Sequence, residues 1–80
     1  MSEQAADARA DLRGKKCPMT FVHTKLELEN LEPGQVLAVV LDYPPSFLNV
    51  PRSVALQELG AIVAQSESAA GEKTLWIRKK

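Results

Sequence analysis

The sequence predicts an α/β two-layer sandwich of order βαβαββ, a four-stranded mixed sheet with two helices on one face. Three observations predict it. A helix opened by Pro18 lies between a short strand candidate and the branched apolar run Val36–Leu41. Strand, helix and strand over so short a length make a right-handed, parallel βαβ unit. A second helical stretch and a closing hairpin follow, and helices that share one sheet must bury their apolar stripes against it.

Taken in order, residues 1–7 are small and polar with no period and read as a flexible N-terminal tail. Residues 8–80 read as a single domain. Ala8 to Leu12 is apolar at alternate places, a modest first strand that stops at Gly14. The helix from Pro18 should run to about Leu31, where Glu32-Pro33-Gly34 ends it. Phe21, Thr24, Leu28 and Leu31 recur at three- and four-residue steps and should face the core. Met19, Val22 and Leu26 form a second apolar line well around the same helix. Neighbouring loops cover that line, or it is a partner surface.

Val36 to Leu41, bounded by Pro-Gly and Pro-Pro, reads as a central strand buried on both faces. Asp42-Tyr43-Pro44-Pro45 should turn the chain. Ser46 or Asn49 then begins a second helix carrying Val50, Val54, Leu56 and Leu59. Pro51 is tolerable only near its start, and Gly60 should close it as the residue just past the cap. Ala61–Glu67 and Lys73–Arg78 form a hairpin across Ala69-Ala70-Gly71-Glu72. Ile62 or Val63 points inward there, with Leu75 and Ile77. Trp76 should pack on the strand pair.

Composition narrows the function. The chain has 80 residues, a formal net charge of +0, a single cysteine and a single histidine. One cysteine excludes an internal disulfide framework, a Cys-X-X-Cys redox pair and a cysteine-rich zinc site within one chain, and it leaves no metal site expected. Zero net charge gives no electrostatic case for a membrane surface, and for nucleic acid only an indirect role if any. No apolar run approaches the roughly 20 residues of a membrane span. The N-terminus Met1-Ser2-Glu3-Gln4 does not resemble a signal peptide, so a reduced, cytoplasmic location is the expectation.

Chemistry concentrates at Arg13-Gly14-Lys15-Lys16-Cys17-Pro18-Met19-Thr20. Proline is favoured at the first helical position, which makes Cys17 the expected N-cap even though cysteine is not a preferred cap. Its sulfur would then lie near unpaired backbone N–H groups and the positive end of the helix dipole. Arg13, Lys15 and Lys16 add positive charge upstream. Such settings lower a cysteine pKa from about 8.5 into a range of roughly 3.5–7.5. The alternative is an inert, small buried residue. Clustered cations and the helix start favour the reactive thiol, with Pro18 supporting it.

In a parallel βαβ unit the first helix begins at the sheet edge where the second strand ends, and ligand-facing loops gather there. Cys17, the Asp42-Tyr43 turn and the start of the second helix, with Asn49, Arg52 and Ser53, should share one rim. His23 reads as a surface histidine. Arg78-Lys79-Lys80 reads as the end of an edge strand, where cations discourage sheet-to-sheet pairing; the alternative is a docking point for an acidic partner or transfer RNA phosphate.

The residues resemble the TusA/SirA-like sulfur-carrier (sulfurtransferase) family, whose pattern is a strand, D-L-R-G, two residues, then C-P-x-P at a helix start. Here Asp11-Leu12-Arg13-Gly14 precedes Lys15-Lys16 and Cys17-Pro18-Met19-Thr20. Leu31-Glu32-Pro33-Gly34 is similar to the family's L-x-P-G helix end, Asp42-Tyr43-Pro44 to its D-D-P turn and Val50-Pro51 to its I-P. Gly60 and Ile77-Arg78-Lys79 fit as well. Thr20 stands in place of the second motif proline, Tyr43 in place of the second acidic residue, and Ala61 where a histidine is common.

The resemblance implies a carrier rather than a turnover enzyme. Cys17 would take sulfur as a persulfide and pass it from a donor protein, of rhodanese or cysteine desulfurase type, to an acceptor protein. No separate cofactor is implied, only the covalent persulfide sulfur on Cys17. Transfer RNA thiolation, molybdenum-cofactor supply, sulfur oxidation and sulfur assimilation are all open pathways. Two other classes compete: a non-catalytic interaction module using Met19, Val22 and Leu26, and a thiol redox sensor in which Cys17 forms a mixed disulfide or a dimer.

Overall fold

The computed structural model describes residues 6–16 and 19–80. Its elements are β1 (Ala8–Asp11), α1 (Met19–Glu29), β2 (Val36–Leu41), α2 (Pro44–Leu56), β3 (Gly60–Glu67) and β4 (Lys73–Lys79). The sheet order is β1-β2-β4-β3. β1 pairs parallel with β2, and β4 pairs antiparallel with both β2 and β3. This is the predicted βαβαββ fold, a four-stranded mixed sheet with two helices.

The core shows that both helices cover the same face. Leu37, Val39 and Leu41 alternate along β2 and meet Leu75 and Ile77 of β4. Leu28 of α1, Val50 and Val54 of α2, and Ala10 and Leu12 at the β1 end close over them. Each fully buried leucine or valine contributes roughly 1.5–3 kcal/mol by leaving water. Thr24 and Leu28 lie on the buried stripe of α1 as predicted, while Phe21 and Leu31 are half-buried at its margins. Burial of β2 on both faces holds for Ala38, which pairs with the buried Trp76. Val36 and Val40 are only half-buried, because among the described residues no helix covers the sheet's other face.

Several boundaries differ from the sequence reading, each for a physical reason. Asp7, assigned to the tail, donates its N–H to Val36 O and accepts the Val36 N–H on its carboxylate, both at 2.8 Å. α1 stops at Glu29, not Leu31, and the Lys79 ammonium donates to the last helical carbonyl, Glu29 O at 3.5 Å, and to Leu31 O just beyond it at 2.7 Å. α2 starts at Pro44, so the predicted Pro-Pro turn is the helix's own first turn. Tyr43 is its N-cap, and the missing proline N–H groups fall among donors that have no helical partner anyway. Pro51 therefore lies well inside the helix, and Phe47 O goes without its usual donor there.

Gly60 does not cap α2. The helix ends at Leu56, its C-cap is Gln57, and the left-handed turn falls on Glu58, φ 54°. Gly60 is instead the first residue of β3, opposite Lys79. The predicted edge strand at Arg78-Lys79-Lys80 is interior: β4 lies between β2 and β3. The hairpin folds back so that its second strand inserts beside β2, which leaves β1 and β3 as the edges. Of the two inward candidates on β3, Ile62 packs on the core and Val63, at a register shift, is exposed.

Candidate functional site

β1 and β2 run parallel and end at one sheet edge, where α1 and α2 both begin. The β1–α1 loop, residues 12–16, is built there. Leu12 continues the ladder by donating its N–H to Val40 O at 2.9 Å, and the Lys15 N–H returns to Leu12 O at 3.2 Å. Gly14 takes φ +83° inside that turn, a conformation that costs glycine nothing and strains a residue with a Cβ. The Gly14 N–H donates to Asp42 Oδ1 at 2.9 Å, from the turn after β2.

Next, the Lys16 carbonyl receives the first helical N–H groups, from Met19 at 2.8 Å and Thr20 at 3.3 Å. Cys17 and Pro18, including the expected N-cap, lie outside the described residues. Their flanks, Lys16 and Met19, are exposed. Lys15 and Lys16 are exposed too, and among the described residues neither forms an ion pair.

Arg13 is placed differently from those lysines. Its guanidinium donates Nε to Asp11 Oδ1 at 2.8 Å, Nη2 to Asp11 Oδ2 at 2.6 Å and Nη1 to Glu72 Oε2 at 3.2 Å. The Arg13 N–H also reaches Asp11 Oδ1 at 3.1 Å. Two carboxylates thus neutralise it and hold the loop to β1 and to the β3–β4 turn. This knot borders a polar cleft of about 340 Å³ with Arg9, Val40 and Thr74. Arg9, Asp11 and Val40 alternate with core residues, so the cleft opens on the sheet face away from the helices.

The hydrogen bonds from Arg13 lower the Asp11 pKa from 3.8 to about 2. A folded-state pKa below the unfolded one stabilises the fold above the unfolded value, and that stabilisation is lost as pH falls through the folded value. The knot is therefore expected to persist at pH 4 and to open only as pH drops toward about 2. An NMR titration of the Asp11 carboxyl and the Arg13 amide checks this. A midpoint near 3.8, the ordinary value, would show that the bidentate pair does not persist in solution.

The first turns of the two helices are joined inside the core. Thr20 Oγ1 and Ser46 Oγ lie 2.9 Å apart with both residues fully buried, and Thr24 Oγ1 donates to Thr20 O at 2.7 Å. Thr20, which stands where the family motif has proline, thus fastens α1 to α2. Thr20→Val keeps the shape but removes the hydroxyl, and is expected to cost about 1 kcal/mol by chemical denaturation. An unchanged midpoint would show that the pair adds nothing.

Other sequence candidates separate on the structure. Asp42 shares the rim with the loop, and Tyr43 is half-buried at the N-cap of α2. Asn49 and Arg52 are exposed but lie beyond the first turn, because α2 starts at Pro44. Arg52 is roughly 12 Å along the axis from the rim at 1.5 Å per residue. His23 is half-buried on α1. Met19, Val22 and Leu26 are 49%, 39% and 52% exposed on the helix side opposite Thr20, Thr24 and Leu28. Sequence reasoning missed Glu72 and Ser46 as rim contacts. Both act on residues far away in the chain, and neither sits in a local pattern that signals it.

Comparison with known proteins identifies the family and the fold. The family model described as "Sulfurtransferase TusA" matches residues 8–79. A protein of Archaeoglobus fulgidus named as a candidate sulfur carrier is 40% identical over 70 residues, covering 88% of this chain and 78% of its own. The sulfur carrier protein TusA of Pseudomonas putida is 30% identical over 80 residues, covering 100% of this chain and 98% of its own. A crystal structure of a SirA-like protein from Desulfitobacterium hafniense superposes with a TM-score of 0.73 at 25% identity, covering 89% of this chain and 95% of that one. With its βαβαββ sheet, its Arg13-Gly14 loop leading to a single Cys-Pro pair and a family match over almost all of its length, the chain belongs to the TusA/SirA-like family of sulfur carriers.

Proposed function

We propose that Cys17 carries the sulfur, as a persulfide, between a donor and an acceptor protein. The observation that carries the reading is that a chain of this family has one cysteine in its whole sequence, at the motif position. In the first step the Cys17 thiolate attacks the outer sulfur of a donor persulfide. A new S–S bond forms on Cys17, the donor's S–S bond breaks, and the donor leaves as a thiolate. The second step repeats this with the acceptor thiolate as the attacker and Cys17 as the leaving group. Each exchange moves one sulfur atom with no net oxidation, and its rate follows the attacking thiolate, the leaving sulfur and access.

Several features support the reading. The loop before Cys17 opens at an exposed rim, and Lys15 and Lys16, exposed cations of that loop, form no ion pair among the described residues. With no second cysteine the chain cannot resolve its own persulfide, so a partner's thiol must do so. The exposed line Met19, Val22 and Leu26 begins immediately after the Cys-Pro pair and is the surface we assign to that partner. Donors of rhodanese or cysteine desulfurase type fit the first step. The test is to incubate the protein with inorganic polysulfide and weigh it intact. The gain of one sulfur atom, reversed by reductant, is expected, and no gain refutes the proposal.

A further inference from the structure

Resting on the assignment of Cys17 as the carrier, we infer that Asp42 is a positioning residue: its carboxylate holds the loop that presents the thiol. Two independent anchors grip that loop. Arg13 is tied by its side chain to Asp11 and Glu72, and Gly14 is tied by its backbone N–H to Asp42 Oδ1 at 2.9 Å. The first anchor fixes a side chain on the sheet face away from the helices. The Arg13 N–H joins that anchor at 3.1 Å, and the second fixes the backbone one residue nearer to Cys17, three positions before it in the sequence.

Geometry makes that bond consequential. Gly14 has φ +83° and nothing within 4 Å of where a Cβ would stand. Neither a side chain nor packing restrains it, so the turn depends on its hydrogen bonds. The Lys15 N–H contributes a long one, at 3.2 Å to Leu12 O. Asp42 contributes the charge-assisted one, which is shorter and roughly twice as strong as a neutral pair. Asp42 itself follows directly on β2, whose residues Leu37, Ala38, Val39 and Leu41 are fully buried. It therefore transmits the rigidity of the central strand to a loop that otherwise has little of its own. The Lys16 carbonyl that starts the α1 ladder lies two residues beyond Gly14. A loosened Gly14 thus lets the helix start fray, and aligned N–H groups at a helix start are what favour a thiolate.

The experiment compares wild type, Asp42→Ala and Asp42→Asn, each with a thermal unfolding midpoint to show an intact fold. Hydrogen exchange reads Gly14, and the rate of Cys17 alkylation by iodoacetamide at pH 7 reads the thiolate. Asp42→Ala is expected to speed Gly14 exchange by about tenfold and to slow alkylation about threefold or more. Asparagine keeps an acceptor oxygen at the same place and is expected to restore most of both. A wild-type Gly14 exchange rate or alkylation rate in Asp42→Ala overturns the inference. So does an Asp42→Asn protein as impaired as the alanine variant, since charge rather than the bond would then be at work. Alkylation involves no sulfur transfer, so a wild-type protein that alkylates normally but gains no sulfur from polysulfide refutes the carrier assignment and leaves the loop anchor standing.

Discussion

Cys17→Ser protein incubated with inorganic polysulfide is expected to gain no mass, where wild type gains one sulfur atom that reductant removes. The reasoning is chemical. A serine hydroxyl is not ionised at neutral pH, and the chain has no other cysteine to substitute. All detectable uptake should therefore vanish, along with all donation to an acceptor thiol. Far-UV circular dichroism and the unfolding midpoint should stay close to wild type, because serine differs from cysteine by one atom and the core among the described residues is built from other side chains. A serine variant that still accepts and donates sulfur would refute the role. The same measurement separates the competing readings. A doubled mass under oxidant alone would favour a redox sensor, and no change under polysulfide or oxidant would favour a module that only binds.

Gly60→Ala is expected to produce the largest loss of stability of any single methyl addition in the sheet. A Cβ on Gly60 would overlap the Arg78 carbonyl oxygen and lie 3.2 Å from Ile77 Cγ2. The obstacle is backbone of an interior strand and a fully buried side chain, so neither can yield cheaply. Overpacking of this kind costs about 3 kcal/mol, against a total of about 4–12 kcal/mol for a domain of this length. Urea denaturation checks it, and a change below about 0.5 kcal/mol, the range of neutral surface substitutions, would show that β3 shifts to accommodate the methyl. The effect is steric, unlike that at Gly14, where space is open and only the positive φ resists a side chain.

Gly60 also shows how sequence reading succeeds and fails. A glycine just past a helical pattern reads locally as a cap, and the local rule is sound. Here the cap role passed to Gln57 and Glu58, because the constraint on Gly60 comes from Arg78 in the neighbouring strand. Pro44-Pro45 reads locally as a turn for the same kind of reason: two prolines stop a helix but also start one, and only the position of the helix start distinguishes the cases. The strands and helices themselves were legible, since period and branching report burial directly. Thr20 was visible only as a departure from a motif. That it meets Ser46 could not be read from either residue, as both are small polar side chains that usually face water.

By itself, the sequence determined the element order, the layer on which the helices lie, and the position of the chain's one cysteine. These follow from local periodicity, turn residues and a count of one cysteine, all of which are properties of neighbouring positions. The tertiary structure alone decided that the last strand is interior, that Arg13 is neutralised by Asp11 and Glu72 while Lys15 and Lys16 form no ion pair among the described residues, and that Asp42 holds Gly14. Each of these is a contact between residues far apart in the chain, and hydrogen bonds of that kind depend on distances and angles that only the folded backbone sets.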